Sequence, residues 1–171
     1  EKEGQGSLWR MDLDNTFSCI EPFVAGMPNG MGFSPDLKYF YFTVTNERVI
    51  YRYSYDRITG NLSDKMKFII VPDNEGLPDG MAVDADGCIW SAQWNGNRLV
   101  KYSPEGNKIS EYFLPIEKIS CAAFGGKDFS EMFITTANYP WNENDYKQIH
   151  AGTVLKFKHS IKGIPEYRRA I

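Results

Sequence analysis

Two segments of this chain begin alike and run on in parallel, and that self-similarity narrows the fold before any single motif is weighed. From Pro28 the sequence reads Pro-Asn-Gly-Met-Gly-Phe-Ser-Pro-Asp, then an aromatic run, then Val49-Ile50-Tyr51-Arg52-Tyr53. From Pro78 it reads Pro-Asp-Gly-Met-Ala-Val-Asp-Ala-Asp-Gly, then Cys88-Ile89-Trp90, then Arg98-Leu99-Val100-Lys101-Tyr102. A looser third copy opens at Ser120-Cys121-Ala122-Ala123-Phe124-Gly125-Gly126, passes through 131–135 and closes over 152–157. Starts at 29, 79 and 120 lie 50 and 41 residues apart, the period of propeller blades.

Local pattern supports an all-β reading. No window of 11 or more residues keeps apolar groups on one helical face, whereas alternation of period two is plain at 49–56, 99–102 and 155–158. Such alternation predicts strands with one face inward. Turn chemistry at Ser34-Pro35-Asp36, Thr59-Gly60-Asn61, Asn95-Gly96-Asn97 and Ser103-Pro104-Glu105-Gly106 separates them. Each repeat is expected to supply an innermost strand (30–34, 80–84, 120–124), a second (38–45, 88–93, 131–136), a third (48–56, 98–103, 152–158) and an outer fourth (66–71, 108–114, 166–169). Four antiparallel strands make one propeller blade. Two more strands, 7–12 and 18–24, precede Pro28 and look like the end of an earlier blade. The chain therefore reads as one partial propeller domain, 1–171, with blade limits 1–27, 28–77, 78–118 and 119–171. That is about three and a half blades, fewer than the four or more of a closed propeller. The chain is thus expected to be the later part of a longer one, completed by the missing N-terminal part as parent chain or separate polypeptide.

Composition closes off several function classes. The net charge is −3, and the short basic pieces at 65–67 and 156–158 read as solvated strand ends, so no nucleic-acid footprint is present. No apolar stretch reaches the ~18 residues that would cross a bilayer as a helix. Three cysteines, Cys19, Cys88 and Cys121, are an odd number at irregular spacing. They suit buried thiols in a reducing compartment, and a cytoplasmic location is expected.

The chemistry-bearing residues cluster at one position of the repeat. Asn29, Asp79 and Ser120 each lead into an innermost strand, which turns them toward a common axis. Asn and Asp supply hard oxygen ligands for Ca²⁺, Mg²⁺ or Mn²⁺, and serve Zn²⁺ as well. Pro-Asp-Gly and Asn-Gly are also ordinary turn sequences, so the residues alone leave both readings open. Asp84-Ala85-Asp86-Gly87 is not a calcium-binding EF loop, because Gly87 comes two residues early and Asn95 stands where a Glu is required. His150 and His159 read as surface residues, and Cys121 as buried and inert. Trp94, Tyr139 and Trp141 fall in predicted loops, where packing accounts for each singly and a pocket wall is the alternative.

The motifs at 28–36, 51–63, 76–87, 89–100, 120–126 and 152–167 together resemble the senescence-marker-protein-30 family, which includes regucalcin, gluconolactonases and luciferin-regenerating enzyme. The resemblance implies a six-bladed propeller holding one divalent ion, calcium or zinc, and hydrolysing sugar lactones. It implies that Asn29 is a metal ligand and that Asp79 is both ligand and general base. A third ligand, a Glu of the first blade, and the sugar-contacting Arg and Asn of a central blade lie outside this chain. The family commonly has Asp-Ser where Val44-Thr45 stands, which predicts the loss of a polar contact there. The alternatives are a calcium-dependent organophosphate or ester hydrolase and a non-catalytic metal-binding propeller fragment.

Overall fold

The computed structural model describes residues 5–138 and 148–166, which form four antiparallel sheets and, among those residues, no helix. The first sheet pairs β1 (Gln5–Met11) with β2 (Phe17–Ala25). The second runs in chain order through β3 (Pro28–Phe33), β4 (Tyr39–Val44), β5 (Val49–Tyr55) and β6 (Leu62–Ile70). The third repeats that meander with β7 (Leu77–Val83), β8 (Ile89–Trp94), β9 (Arg98–Tyr102) and β10 (Lys108–Phe113). The fourth contains β11 (Ile119–Gly125), β12 (Glu131–Thr136) and β13 (Val154–Lys158). The fourth strand expected at 166–169 lies, beyond residue 166, outside the described residues.

The sheets stack face to face, and their first strands β3, β7 and β11 lie side by side. Two glycines set that spacing. A Cβ on Gly30 would stand 2.6 Å from the Met81 amide nitrogen and 2.8 Å from the Asp79 carbonyl oxygen. On Gly80 it would stand 2.5 Å from Cys121 Sγ and 2.7 Å from the Ser120 carbonyl oxygen. The glycine of each repeat opening is therefore needed for close approach of neighbouring first strands.

Three apolar layers fill the spaces between sheets. Leu8 and Val24 meet Phe40, Phe42 and Val44 in the first, and Tyr41, Ile50 and Ile69 meet Met81, Ile89 and Val100 in the second. Trp90, Leu99, Ile119, Met132 and Ile134 form the third. Phe40 and Phe42 thus face one neighbour while Tyr41 faces the other, as Ile89 and Trp90 do one sheet on. The expectation of a single inward face, made for 49–56 and 99–102, fails there, since Val49 and Ile50 and again Leu99 and Val100 are buried side by side; β4 and β8 are likewise buried on both sides, because each middle sheet lies between two others. Alternation survives at β13, where exposed and half-buried residues alternate one by one.

Two further expectations are corrected. β6 starts at Leu62, so Lys65 and Lys67 lie within a strand, and Lys65 pairs with Glu21 at 2.8 Å across two sheets. Trp94 closes β8 and bridges to Lys118 through the backbone, so it belongs to a strand end and not to a loop. Tyr139 and Trp141 lie outside the described residues.

Candidate active site

Asn29 and Asp79 occupy equivalent irregularities in their sheets. The β3–β4 register shifts between Pro28 and Met31, and the β7–β8 register shifts between Pro78 and Met81. A bulge bends its strand and re-aims the extra side chains, and here it does so for Asn29-Gly30 and Asp79-Gly80. The matching shift in β11 falls between Ile119 and Cys121, at Ser120. The tripeptides are therefore neither plain hairpin turns nor regular strand.

The bulges bring Asn29 and Asp79 together. Asp79 is buried, and burial pushes its carboxyl up from 3.8 to about 6, with the Asn29 side chain and the Gly80 amide opposing that rise as hydrogen-bond partners. Among the described residues no cationic side chain pairs with it. A buried carboxylate held only by neutral donors keeps an unanswered negative charge. Thr45 completes the group: Asn29 Nδ2 donates to Thr45 Oγ1 at 3.2 Å, and Thr45 Oγ1 donates to the Pro78 carbonyl at 2.8 Å. The polar contact expected to be missing at Val44-Thr45 is thus made by the Thr45 hydroxyl. Ser120 does not join them, because its hydroxyl is engaged with Thr135 Oγ1 at 2.8 Å in its own sheet.

Asn29 and Asp79 suit a hard divalent cation: an amide oxygen and a carboxylate oxygen from adjacent strands, with a local charge that a cation would neutralise. They are two ligands only, and among the described residues no three His, Cys, Asp or Glu side chains converge as a metal site. The other candidates behave as follows. Asp84 is fully buried and accepts from the Asp86 and Cys88 amides, Trp90 Nε1 and Lys101 Nζ, so it organises a turn and a core ion pair. That arrangement agrees with the exclusion of a calcium loop there. His150 is exposed as expected. His159 is not a surface residue: it is half-buried against Trp90 and Tyr112, with ring centroids 5.5 and 5.9 Å away, and its Nδ1 accepts from the Ile161 amide. Cys121 is half-buried, and burial raises its thiol pKa, with the Asp79 charge adding to the rise, which keeps it a poor nucleophile.

A cavity of about 590 Å³ opens beside the first strands, lined by Met31, Phe33, Met81, Val83, Cys121 and Phe124 among others. Neither Asn29 nor Asp79 lines it. Its lining is apolar, the character of a surface that packs against more protein. Trp9, Phe17 and Phe23 on the β1–β2 sheet are likewise exposed.

Comparison with known proteins places the chain. Residues 1–138 match the family model described as SMP-30/Gluconolactonase/LRE-like region, and the chain belongs to that family. It is 41% identical over 168 residues to pentonolactonase XacC of Haloferax volcanii, covering 95% of this chain and 57% of that protein. It is 33% identical over 169 residues to regucalcin of Oryctolagus cuniculus, covering 97% and 56%. Among solved structures, the calcium-binding protein regucalcin of Agrobacterium tumefaciens superposes with a TM-score of 0.91 at 27% identity, covering 99% of this chain and 58% of that one. The chain thus spans a little over half the length of these relatives. No helix among the described residues is long and apolar enough to cross a membrane.

Proposed function

We propose that this chain carries the catalytic carboxylate and two metal ligands of a sugar-lactone hydrolase, as the later part of a six-bladed propeller. The observation that carries the reading is Asp79, a buried carboxylate with an elevated pKa, no cationic partner among the described residues and Asn29 beside it. The names of two relatives, pentonolactonase and regucalcin, point the same way, toward lactone chemistry and calcium. Asn29 Oδ1 and the Asp79 carboxylate would hold one divalent ion, calcium or zinc. Bound there, the ion would polarise the lactone carbonyl and acidify a water. Asp79 would take the proton from that water as its oxygen adds to the carbonyl carbon, and return it to the ring oxygen as the ester bond opens to a hydroxy acid.

The remaining ligand, the sugar contacts and the cover for the apolar cavity would come from the N-terminal part of the propeller, in one chain with this segment or as a companion polypeptide. The three cysteines are unpaired but are not all buried as expected, Cys19 being exposed, Cys88 buried and Cys121 half-buried, and free thiols suit a reducing compartment such as the cytoplasm.

The test is hydrolysis of 1,4- and 1,5-aldonolactones, with paraoxon in parallel, by this chain alone and joined to the completing polypeptide, in calcium, zinc or chelator. Lactone turnover by the completed protein, abolished by chelator and by Asp79→Ala, is expected. If Asp79→Ala keeps more than about a tenth of kcat, a barrier change of only ~1.4 kcal/mol, Asp79 is not the base. Paraoxon turnover without lactone turnover favours the phosphotriester alternative, and no turnover with retained ion uptake favours a binding protein. Ion uptake is expected to weaken by about tenfold per pH unit below about pH 6, where Asp79 holds its proton.

A further inference from the structure

A hydroxyl has a single proton to give, and Thr45 gives its own to the Pro78 carbonyl at 2.8 Å. Toward Asn29 its oxygen is therefore left only as an acceptor. The amide of Asn29 has to present Nδ2 to it, which it does at 3.2 Å; the same NH₂ is the only group Asn29 can donate to the Asp79 carboxylate, and with both protons committed there Oδ1 is the end left for a cation. An asparagine amide has two nearly isosteric ends, and only its hydrogen-bond partners decide which way round it sits.

We infer that Thr45 is the positioning residue of the ion site: its hydroxyl sets the Asn29 amide so that Oδ1 faces the cation, and ties it to the backbone immediately before Asp79. Both ligands then hang from one buried oxygen. Thr45 is itself held, because its amide donates to the Met27 carbonyl at 3.0 Å and its carbonyl accepts from the Arg48 amide at 2.9 Å. Its exposure is 5%, so water does not compete for these bonds. Without the hydroxyl one of the two acceptors that fix the amide, Thr45 Oγ1 and the Asp79 carboxylate, is lost, and once an ion occupies the carboxylate the amide is free to turn its N–H groups toward it. The device is particular to this pair of strands. Pro28 stands opposite Val44 as Pro78 stands opposite Gln93, so the position matching Thr45 one sheet on is Trp94, which has no hydroxyl.

This inference rests on the proposed ion site, and its test separates the two. Calcium and zinc are titrated calorimetrically into the protein as isolated, the Thr45→Val and Thr45→Ser variants, and Asn29→Ala as the control for the site. Loss of a partner that orients a metal ligand commonly costs 10- to 100-fold in affinity, so Thr45→Val is expected to weaken binding roughly tenfold or more. Thr45→Ser, which restores the hydroxyl, is expected to stay within about threefold of the parent. Hydrogen exchange of the Asn29 side-chain amide in the ion-free parent supplies a reading that needs no variant to fold, and protection of that NH₂ is expected. Parent-like affinity in Thr45→Val, or an unprotected Asn29 amide, overturns the role of Thr45 while leaving the ion site standing. If the parent and Asn29→Ala alike take up no ion, the site and the inference both fall.

Discussion

Strand β7 has a buried aspartate near each end, Asp79 at its third residue and Asp84 just past its last, and the two are treated in opposite ways. At the far end, Asp84 receives two backbone amides, an indole N–H and the Lys101 ammonium at 3.0 Å, with Lys101 also lying 5.0 Å from the Trp90 ring centroid. At the near end, Asp79 has only neutral donors, and burial pushes its carboxyl up to about 6. A buried charge answered on every side holds the fold together. A buried charge left unanswered is destabilising, and such strain is commonly found where a ligand is meant to relieve it. Both are buried aspartates, Asp84 at 0% and Asp79 at 9% exposure, and it is chiefly their partners that separate structure from site.

The contrast is sharpest in mutants of opposite sign. Asp84→Ala strands the Lys101 ammonium and the Trp90 indole N–H in the core, and a loss of about 3–5 kcal/mol in urea unfolding is expected. Adding Lys101→Met to Asp84→Ala should recover much of it, since the stranded charge is then gone. No recovery would mean that the turn, and not the ion pair, carries the effect.

Asp79→Asn should do the reverse. The folded carboxyl titrates near 6 and the unfolded one near 3.8, so the fold prefers the protonated acid. Well below pH 3.8 the group is neutral in both states and costs nothing, and the cost builds up between about 4 and 6. As pH rises past 6 the fold must carry the ionised form, at up to about 3 kcal/mol for a shift of some two units. In chelator, Asp79→Asn is therefore expected to gain up to that much stability above pH 6 and little near pH 3.5. Equal gains at both pH values would show that charge is not the cause.

The smallest expected effect concerns the spacing that brings the near end to its neighbour. Gly30→Ala or Gly80→Ala places a methyl against the backbone of the adjacent first strand. A loss of roughly 1–3 kcal/mol is expected, with ion affinity falling alongside as the strands part. Unchanged thermal unfolding in both variants would mean that the first strands are free to separate.

Much of this architecture was legible in the residues. Repeated openings at Pro28 and Pro78, with turn residues between β-rich runs, located nearly every described strand to within a few positions. Asn29 and Asp79 were legible too, because a repeat tells which positions correspond. Three things were not. Strand alternation at 49–56 and 99–102 suggested one buried face, but Val49 and Ile50, or Leu99 and Val100, are both buried because sheets flank them on either side. His159 carried no ligand pattern and was read as surface, yet Trp90 and Tyr112, far away in sequence, enclose it. Thr45 looked like the loss of a polar residue, and only its partners Asn29 and Pro78 show what its hydroxyl does.

By itself the sequence determined the all-β class, the strand order within each sheet and the equivalence of Asn29 and Asp79, since periodicity and repetition are properties of neighbouring residues along the chain. Only the tertiary structure decided which aspartate is neutralised and which is left exposed to a ligand. That difference depends on dielectric surroundings and hydrogen-bond partners assembled from strands tens of residues apart, and no local pattern encodes them.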